Sequence, residues 1–313
     1  MRNIQPSCSL YAIIARDGRS AAVLRRGPSK QVQLIRWWLG SDTFEEGQWF
    51  KGRIYERRCD LSPSGERFVY FAQDFGRSPG SWTAVSKPPY LTALVLWAKG
   101  DCWGGGGLFD SEMTLRLNHR PGAESKAEDT FGLPKKFKVR LLGDHSGWGE
   151  DDPINHYRLI RDGWRHVQQG RSKRSSEKAE ISYPFDPSDI YARAHPGVLR
   201  VDLFQITLGI GVKNGPWYKQ DYAVLPRHQK TAFGRLEPSE FERQAELYLA
   251  DCSWADWAPN GDLLYATGGQ LFRLRCSASK PSGQLSDAPV TLLSDWNESR
   301  FRPLGPTAEA QRW

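Results

Sequence analysis

Short runs of β-branched and aromatic residues recur along the chain, and turn residues separate them. Each run is about four to eight residues long and is bounded by Gly, Pro, Asn, Asp or Ser, which is typical of a strand between turns. One segment, 237–251, fits either a helix, with Phe241, Ala245 and Tyr248 on one face, or a strand at ELYLA. The chain therefore predicts an all-β protein with strands at AAVLRRG, QVQLIRWW, RFVYFA, YLTALVLW, FKVRLL, VDLFQITLGIGV, DYAVL and LFRLR.

Two turns repeat one local pattern far apart in the sequence. DLSPSGERFVYF contains Pro63 and Gly65, and DWAPNGDLLYA contains Pro259 and Gly261. Proline presets φ for a turn and glycine accepts a positive φ, so both stretches predict a chain reversal between two strands. Weaker copies of the pattern lie at Asp17-Gly18, at Asp162-Gly163, near Ser111 and at Asn214-Gly215.

The spacing of these turns indicates a repeat. Gly18 and Gly65 are 47 residues apart, and Gly65 and Gly261 are 196 residues apart, which is about four such steps. A repeat of roughly 40 to 50 residues that holds about four short strands is typical of a β-propeller blade. We therefore expect a single all-β propeller domain over residues 1–313, with six four-stranded blades and with five or seven as alternatives. Irregular insertions are expected around 119–130, 143–155 and 163–184.

The two clear turns also carry a family resemblance. DLSPSGERFVYF and DWAPNGDLLYA resemble the start of a blade in WD-repeat-like propellers of the TolB type, whose blades open with a Ser-Pro-Asp-Gly-like turn. The resemblance covers about 30 residues, and the sequence lacks the Trp-Asp and Gly-His pairs of true WD repeats. It implies a propeller fold, and propellers include both binding proteins and enzymes.

Composition and charge exclude some classes of protein. Hydrophobic residues make up 39% of the chain and charged residues 25%, which describes a globular protein, and the 13 tryptophans favour strands and binding surfaces. The net charge of +7 over 313 residues is a mild excess that permits an acidic partner without requiring nucleic acid. No apolar run reaches the ~18 residues of a membrane span, so we expect a cytoplasmic protein without membrane contact.

The cysteines agree with a reducing compartment. They are widely spaced and contain no C-x-x-C pair, which suits buried free thiols better than a disulfide framework or a zinc site. The five are Cys8, Cys59, Cys102, Cys252 and Cys276.

No stretch of the chain predicts catalysis or cofactor binding. GRSPG, residues 76–80, has the spacing of a nucleophile elbow, but Pro79 lacks the N–H that an oxyanion hole needs. WGGGG, residues 103–107, lacks the Lys and Ser or Thr of a P-loop, so a close approach of backbones explains it better. GDHSGWGEDDPINH, residues 143–156, gathers acids and two histidines without metal-ligand spacing and predicts a solvated loop. We therefore expect no catalytic residues, no metal and no cofactor.

Tryptophans beside turns are the candidate contact residues, because interfaces favour large aromatic side chains, although the same residues also pack between blades. The candidate aromatics are Trp82, Trp103, Trp148, Trp164 and Trp217. The predicted partner-binding residues are Trp148, Trp164, Arg171, Lys173 and Arg174.

The basic run 135–140 has the pattern of a strand. Lys136, Lys138 and Arg140 alternate with apolar residues, which predicts a half-buried strand rather than a nucleic-acid groove.

These observations favour a non-enzymatic intracellular protein-interaction module, or an accessory subunit of a multi-protein system, that binds a protein partner. The alternative is a propeller enzyme that acts on a glycan or other polar substrate through two converging carboxylates, one with a shifted pKa. A third reading is a nucleic-acid-associated protein, which would need the basic clusters 135–140 and 171–174 on one face. The sequence leaves the identity of the partner and the oligomeric state open.

Overall fold

The computed structural model describes residues 8–27, 30–128, 132–170, 187–209, 218–227, 237–276 and 285–313. Strands dominate the described part of the chain, as the recurring β-branched and aromatic runs predict. The chain divides into two compact units. The first unit comprises residues 6–159 and 296–313, and the second comprises residues 160–295.

The first sheet of the first unit is an antiparallel meander in which each strand pairs with the next one in sequence. Its second strand, SAAVLRR, is buried along almost its whole length, which is why it contains an unbroken apolar run. The four strands are β1 (Ser9–Ile14), β2 (Ser20–Arg26), β3 (Gln31–Trp38) and β4 (Thr43–Lys51).

The second sheet is centred on a strand whose two faces are both buried, β7 (Phe68–Gln73). Phe68 and Tyr70 join a core cluster shared with the first sheet, whereas Val69 joins a cluster shared with the sheet that follows. This alternation with period two is what a strand between two neighbouring sheets requires. The other strands are β5 (Arg53–Ile54) and β6 (Asp60–Leu61), which both pair with β7, and β8 (Ser81–Ser86) and β9 (Val95–Ala98), which follow on its other side.

The third sheet has three strands, and its last pairing is parallel. The parallel pairing arises because a long connection, residues 118–137, returns the chain to the start of the second strand before the third begins. The strands are β10 (Gly107–Ser111), β11 (Thr114–Leu117) and β12 (Lys138–Leu141), and helix α1 (Ile154–Arg161) follows them.

The second unit contains a five-stranded and a four-stranded sheet, again with each strand beside its sequence neighbour. The five-stranded sheet consists of β13 (Trp164–Gln168), β14 (Asp189–Ala194), β15 (Val201–Gly209), β16 (Tyr218–Pro226) and β17 (Leu247–Leu249), with helix α2 (Pro238–Gln244) before β17. The four-stranded sheet consists of β18 (Trp254–Trp257), β19 (Leu263–Thr267), β20 (Gln270–Leu274) and β21 (Val290–Asp295). No helix in the described part of the chain is both long enough and apolar enough to cross a membrane.

The sheets are β-propeller blades of three to five strands, antiparallel except for the β11–β12 pairing, and the described residues contain five of them instead of the expected six. The difference arises between residues 164 and 249, where one five-stranded sheet with two nine-residue strands takes the place of shorter blades. The turn expected at Asp162-Gly163 is present, but it joins α1 to β13 and not two strands: Gly163 has a φ of +90°, and its N–H donates to the Ile160 carbonyl oxygen at 3.2 Å. The Asn214-Gly215 turn lies outside the described residues.

The repeated turn is confirmed at both clear copies and at the weaker copy Asp17-Gly18. The three glycines have φ values of +71, +77 and +88°, a region that glycine enters without the steric cost of a Cβ. The turns at Gly18 and Gly261 join the first strand of a sheet to the strand that follows, and the turn at Gly65 joins β6, the second strand of its sheet in sequence, to β7. In each, the glycine N–H donates over 2.9 Å to the carbonyl oxygen three residues earlier: Gly18 to Ala15, Gly65 to Ser62 and Gly261 to Ala258.

Two of these turns need glycine for space as well as for φ. An added Cβ on Gly65 would lie 2.3 Å from Ser20 Oγ in the first sheet. An added Cβ on Gly261 would lie 2.8 Å from Nε2 of His195, which follows β14. Because His195 Nδ1 accepts from the Gly197 N–H at 3.0 Å, Nε2 carries the proton and donates to the Gly261 carbonyl oxygen at 2.9 Å. Each turn therefore packs against the preceding blade of its own unit.

The structure describes the segment 237–251 and parts of the expected insertions. Residues 237–251 contain both of the alternatives, because α2 forms first and β17 follows it. Of the insertion expected at 163–184, residues 163–170 are described and include strand β13, and the rest lies outside the described residues. The regions 119–130 and 143–155 contain no strand in their described residues.

A C-terminal segment, residues 296–313, contacts all three sheets of the first unit. The guanidinium of Arg25, buried in β2, donates to the carbonyl oxygens of Trp296 at 3.0 Å and Ser299 at 2.9 Å. These charge-assisted hydrogen bonds fix the segment against the first sheet. Further contacts join Gln48 to Leu304, Lys87 to Glu309 and Trp313 to Phe137.

Replacing Gly261 by alanine is expected to destabilise the protein more than replacing Gly163 by alanine. The two glycines have φ values of +88 and +90°, so strain at positive φ should cost about 1–2 kcal/mol in each variant. No described atom lies within 4 Å of an added Cβ at Gly163, whereas overlap with His195 should add roughly 1–3 kcal/mol at Gly261. Urea denaturation measures the difference in free energy of unfolding, and equal losses in the two variants would contradict the packing role of Gly261.

Candidate functional site

Three loops of the first unit meet at one end of its sheets. Loop 74–80 follows β7 and loop 99–106 follows β9, and these two strands run in the same direction because each is antiparallel to β8. Loop 142–153 follows β12, and the Gly104 N–H joins it to loop 99–106 by donating to the Gly149 carbonyl oxygen at 2.6 Å. We call the surface formed by these three loops the aromatic end.

The aromatic end exposes one large aromatic side chain from each loop. Phe75 is 64% exposed, Trp103 is 44% exposed and Trp148 is 55% exposed. Trp103 directly precedes Gly104, and Trp148 directly precedes Gly149, so the two tryptophans flank the hydrogen bond that joins their loops. Exposed apolar side chains grouped on neighbouring loops are typical of a contact surface.

The glycine run gives loop 99–106 its shape. Gly104, Gly105 and Gly106 have φ values of +79, +86 and +81°. An added Cβ would lie 2.6 Å from the Gly147 carbonyl at the first position, 2.3 Å from the Phe71 ring at the second and 2.3 Å from the Arg58 carbonyl oxygen at the third. The run is therefore a place of close backbone approach, as the sequence predicted: a side chain at Gly104 would push the two loops apart, and one at Gly105 or Gly106 would overlap Phe71 or Arg58.

Asn118, a buried residue at the end of β11, connects these loops through its backbone and its carboxamide. Its backbone accepts from the Gly105 N–H at 2.7 Å and donates to the Gly106 carbonyl oxygen at 2.9 Å. Its side-chain oxygen accepts from the Gly147 N–H at 2.8 Å, and its side-chain nitrogen donates to the Trp148 carbonyl oxygen at 3.3 Å. One residue thus fixes loop 99–106 and loop 142–153 relative to each other.

Two buried cations also hold loop 99–106. The Arg58 guanidinium donates to the carbonyl oxygens of Cys102 at 2.8 Å and Gly104 at 2.7 Å. The Lys99 ammonium lies between Asp101 at 2.8 Å and Glu124 at 3.1 Å. Burial acts to raise the pKa of Asp101, but its bonds to Lys99 and to a backbone N–H outweigh burial and lower that pKa. The loop is therefore anchored by ionised groups whose charges are already neutralised.

His119 lies beside the same loops and has a supporting role. Its Nδ1 is 2.8 Å from the Glu124 carbonyl oxygen, which can only accept, so Nδ1 carries the proton. Its Nε2 therefore accepts from the Thr83 hydroxyl at 2.8 Å, and that hydroxyl accepts in turn from the Gly106 N–H at 2.8 Å. Burial lowers the pKa of His119 to about 4. A neutral imidazole with both nitrogens engaged supports the glycine run and is not available as a base.

The structure separates the residues that the sequence proposed for partner binding. Trp148 is exposed at the aromatic end, whereas Trp164 in β13 is only 4% exposed, contrary to the expectation that it is a surface residue. The two tryptophans also belong to different units. Arg171, Lys173 and Arg174 lie outside the described residues, so the basic part of the proposed site has no structural description.

The other candidate tryptophans also differ in exposure. Trp103 is exposed, as expected, but Trp82 packs edge-on against Phe50 with ring centroids 5.7 Å apart, and Trp217 lies outside the described residues. The sequence reasoning missed Phe75, although a phenylalanine next to the turn residues of DFGRSPG indicates an aromatic side chain on an exposed loop. It also missed Asn118, which no local pattern distinguishes because its partners lie elsewhere in the sequence.

Carboxylates of the second unit come closest to the pair that an enzyme would need. Burial raises the pKa of Asp256 despite its bond to Arg193, and the charge of Asp162 raises that pKa further. Arg161, however, donates to both oxygens of Asp162 at 2.8 and 3.0 Å. Each carboxylate is thus paired with an arginine, through both oxygens of Asp162 and through Oδ1 of Asp256, whereas a general acid presents its carboxyl group to a substrate.

The described residues offer little else for catalysis. All five cysteines are free, and burial raises the pKa of the Cys59, Cys252 and Cys276 thiols, which makes them poor nucleophiles. Within the described ranges, no group of three or more His, Cys, Asp or Glu side chains could hold a metal ion. Ser78 of GRSPG lies in the loop that joins β7 to β8, without the strand-to-helix turn of a nucleophile elbow.

No protein-family model matches the chain, and no curated protein matches it in sequence. The aromatic end is therefore interpreted from its own geometry. Three exposed aromatic side chains lie on neighbouring loops, two of which are joined by a backbone hydrogen bond, and form a surface that can bury apolar area on contact. The cations Arg58, Arg77 and Lys99 beside it are already paired with carboxylates.

Replacing Asn118 by alanine is expected to loosen both loops that carry the exposed tryptophans. The variant loses the two carboxamide hydrogen bonds, which should lower the free energy of opening these loops by about 1–3 kcal/mol. Hydrogen exchange measured by mass spectrometry should show faster exchange in peptides covering 99–106 and 142–153. The matched control is Asn155→Ala, a buried asparagine in α1 that bonds to Arg158 instead. Unchanged exchange in both loops of the Asn118 variant would show that the carboxamide does not hold them together.

Proposed function

We propose that the protein is a non-enzymatic interaction module whose aromatic end binds a protein partner. The observation that carries this proposal is the group of three exposed aromatic side chains, Phe75, Trp103 and Trp148, on loops that hydrogen bonds hold in place. Aromatic side chains supply much of the binding energy at protein interfaces. A surface that is already ordered loses little conformational entropy when a partner docks.

The charges around the aromatic end favour a protein over a nucleic acid. Arg77 pairs with Asp74 at 3.0 Å, and Lys99 and Arg58 are both buried and paired with carboxylates. Binding to a phosphate backbone depends on unpaired exposed cations that release counterions from the nucleic acid. Those cations are already engaged by carboxylates, so burial of the aromatic side chains is the better source of affinity.

The enzyme alternative has weaker support. The two carboxylates that influence one another, Asp162 and Asp256, are each bound by an arginine. A glycosidase needs one protonated carboxyl group and one free carboxylate facing the substrate. Partner binding at the aromatic end does not require an unpaired carboxylate, because packing and shape complementarity supply the affinity for the partner.

The proposal also covers the type of blade, the location of the protein and the residues of the partner site. We assign the blades to the WD-repeat-like TolB type on the strength of the two Pro-x-Gly turns, and we place the protein in the cytoplasm because its five cysteines are free thiols. Within the predicted partner site, Trp148 is retained and Trp103 and Phe75 take the place of the buried Trp164. Arg171, Lys173 and Arg174 stay a prediction.

The double variant Trp103→Ala/Trp148→Ala is expected to lose partner binding while it keeps its stability. Both side chains are exposed, so their removal should change the free energy of unfolding by less than about 1 kcal/mol, whereas interface tryptophans contribute roughly 2 kcal/mol or more each. The measurement is quantitative capture from the native cells, followed by titration of the purified captured protein against each variant. Calorimetry measures the stability of the same variants.

The control is Trp38→Ala, which removes an exposed tryptophan at the end of β3 that stacks on Arg36, just as Trp148 has Arg120 over its ring. It should bind the partner as the wild type does. Equal affinity of the double variant and the control would place the partner on another surface. A large loss of stability in the double variant would instead give Trp103 and Trp148 a packing role.

A further inference from the structure

We infer that the open edge of β12 binds an extended acidic segment of a partner protein by adding it to the third sheet as a fourth strand. This surface lies outside the aromatic end and rests on different observations. The third sheet has three strands, whereas the first and the last sheets have four. Within the described ranges, β12 pairs with β11 along one edge, and no strand pairs with its other edge.

The backbone of β12 presents hydrogen-bonding groups along that open edge. The N–H groups of Lys138 and Leu142 donate to β11 and the residues beside it, reaching the carbonyl oxygens of Met113 at 2.7 Å and Leu117 at 3.0 Å. Successive residues of a parallel strand direct their backbone groups to opposite sides. Val139 and Leu141 therefore direct their N–H and C=O groups to the open edge, where an added strand could bond to them.

The side chains beside this edge carry one sign of charge. Lys136, Lys138 and Arg140 are exposed on one face, while Phe137 and Val139 pack into the core on the other. The three cations have no ion-pair partner in the described part of the chain. Arg116, which is opposite Arg140 on β11, is already paired with Asp110 at 2.8 Å. The unpaired positive charge thus follows the strand that has the open edge.

The positive charge along β12 distinguishes between the molecules that could bind its open edge. A second copy of β12 would bring like charges together, since lysines on an edge strand oppose self-pairing. A single-stranded nucleic acid gains much of its affinity from aromatic stacking platforms among the cations, and the exposed face of β12 offers Lys136, Lys138 and Arg140 without one. An extended peptide with acidic residues at every second position matches both the backbone edge and the spacing of the charges.

The test uses a fluorescein-labelled peptide of about nine residues that alternates glutamate and valine, a length that covers one strand. Fluorescence anisotropy should show saturable binding to the full chain. Val139→Pro removes an outward N–H without touching the bonds to β11, and it should weaken binding by about tenfold or more. Val139→Ala loses comparable packing but keeps the N–H, and it should bind within about threefold of the wild type. Circular dichroism checks that both variants keep their sheet content.

The charge is tested by Lys136→Glu/Lys138→Glu/Arg140→Glu, which should reduce binding by about tenfold or more. The matched control Arg200→Glu/Arg275→Glu/Arg302→Glu changes the net charge equally at other exposed positions and should bind as the wild type does. The variant lacking Trp103 and Trp148 should also bind the peptide normally, which distinguishes this surface from the aromatic end.

Three results would overturn the inference. One is no binding of the peptide to the wild-type chain. Another is equal binding by Val139→Pro and Val139→Ala, since strand addition requires the outward N–H. The third is tighter binding of a single-stranded oligonucleotide of equal charge than of the peptide, which would make the strand a site for polyanions.

Discussion

The carboxamide of Asn118 is the contact on which the candidate surface depends. It accepts from the Gly147 N–H and donates to the Trp148 carbonyl oxygen, while its backbone is bonded to the glycine run. A buried amide that satisfies both its donor and its acceptor is a strong constraint, because breaking either bond leaves a polar group without a partner in a low dielectric. The exposed tryptophans on either side can therefore remain on the surface in fixed positions without packing into the core.

Positive-φ glycines set the architecture around that contact. In the repeated turns, glycine reverses the chain between two neighbouring strands of a sheet, and at Gly65 and Gly261 it also lets the turn touch the preceding blade of its unit. In the run 104–106, glycines allow two loops to approach until their backbones bond. The backbone freedom of glycine thus shapes the repeated turns in one place and the proposed binding surface in the other.

Much of the fold could be predicted from the sequence, because strand periodicity and turn chemistry are local. The turns at Gly65 and Gly261 and the alternation of Lys138 with Val139 follow from such local patterns. The number of blades could not be predicted, since whether residues 164–249 form one sheet or more depends on pairing between distant strands. The exposure of Trp148 and the burial of Trp164 could not be predicted either, because both stand beside glycines in similar stretches and only tertiary packing distinguishes them.

The central claim is that a partner covers the aromatic end. Hydroxyl-radical footprinting tests it most directly, on the complex isolated from native cells and on the same protein after the complex is dissociated. Trp103 and Trp148 should be oxidised at least about threefold more slowly in the complex, because a bound partner excludes solvent from the centre of its interface. Trp38 should react equally in both states. Equal oxidation of Trp103 and Trp148 in the two states, with protection elsewhere in the chain, would contradict the account.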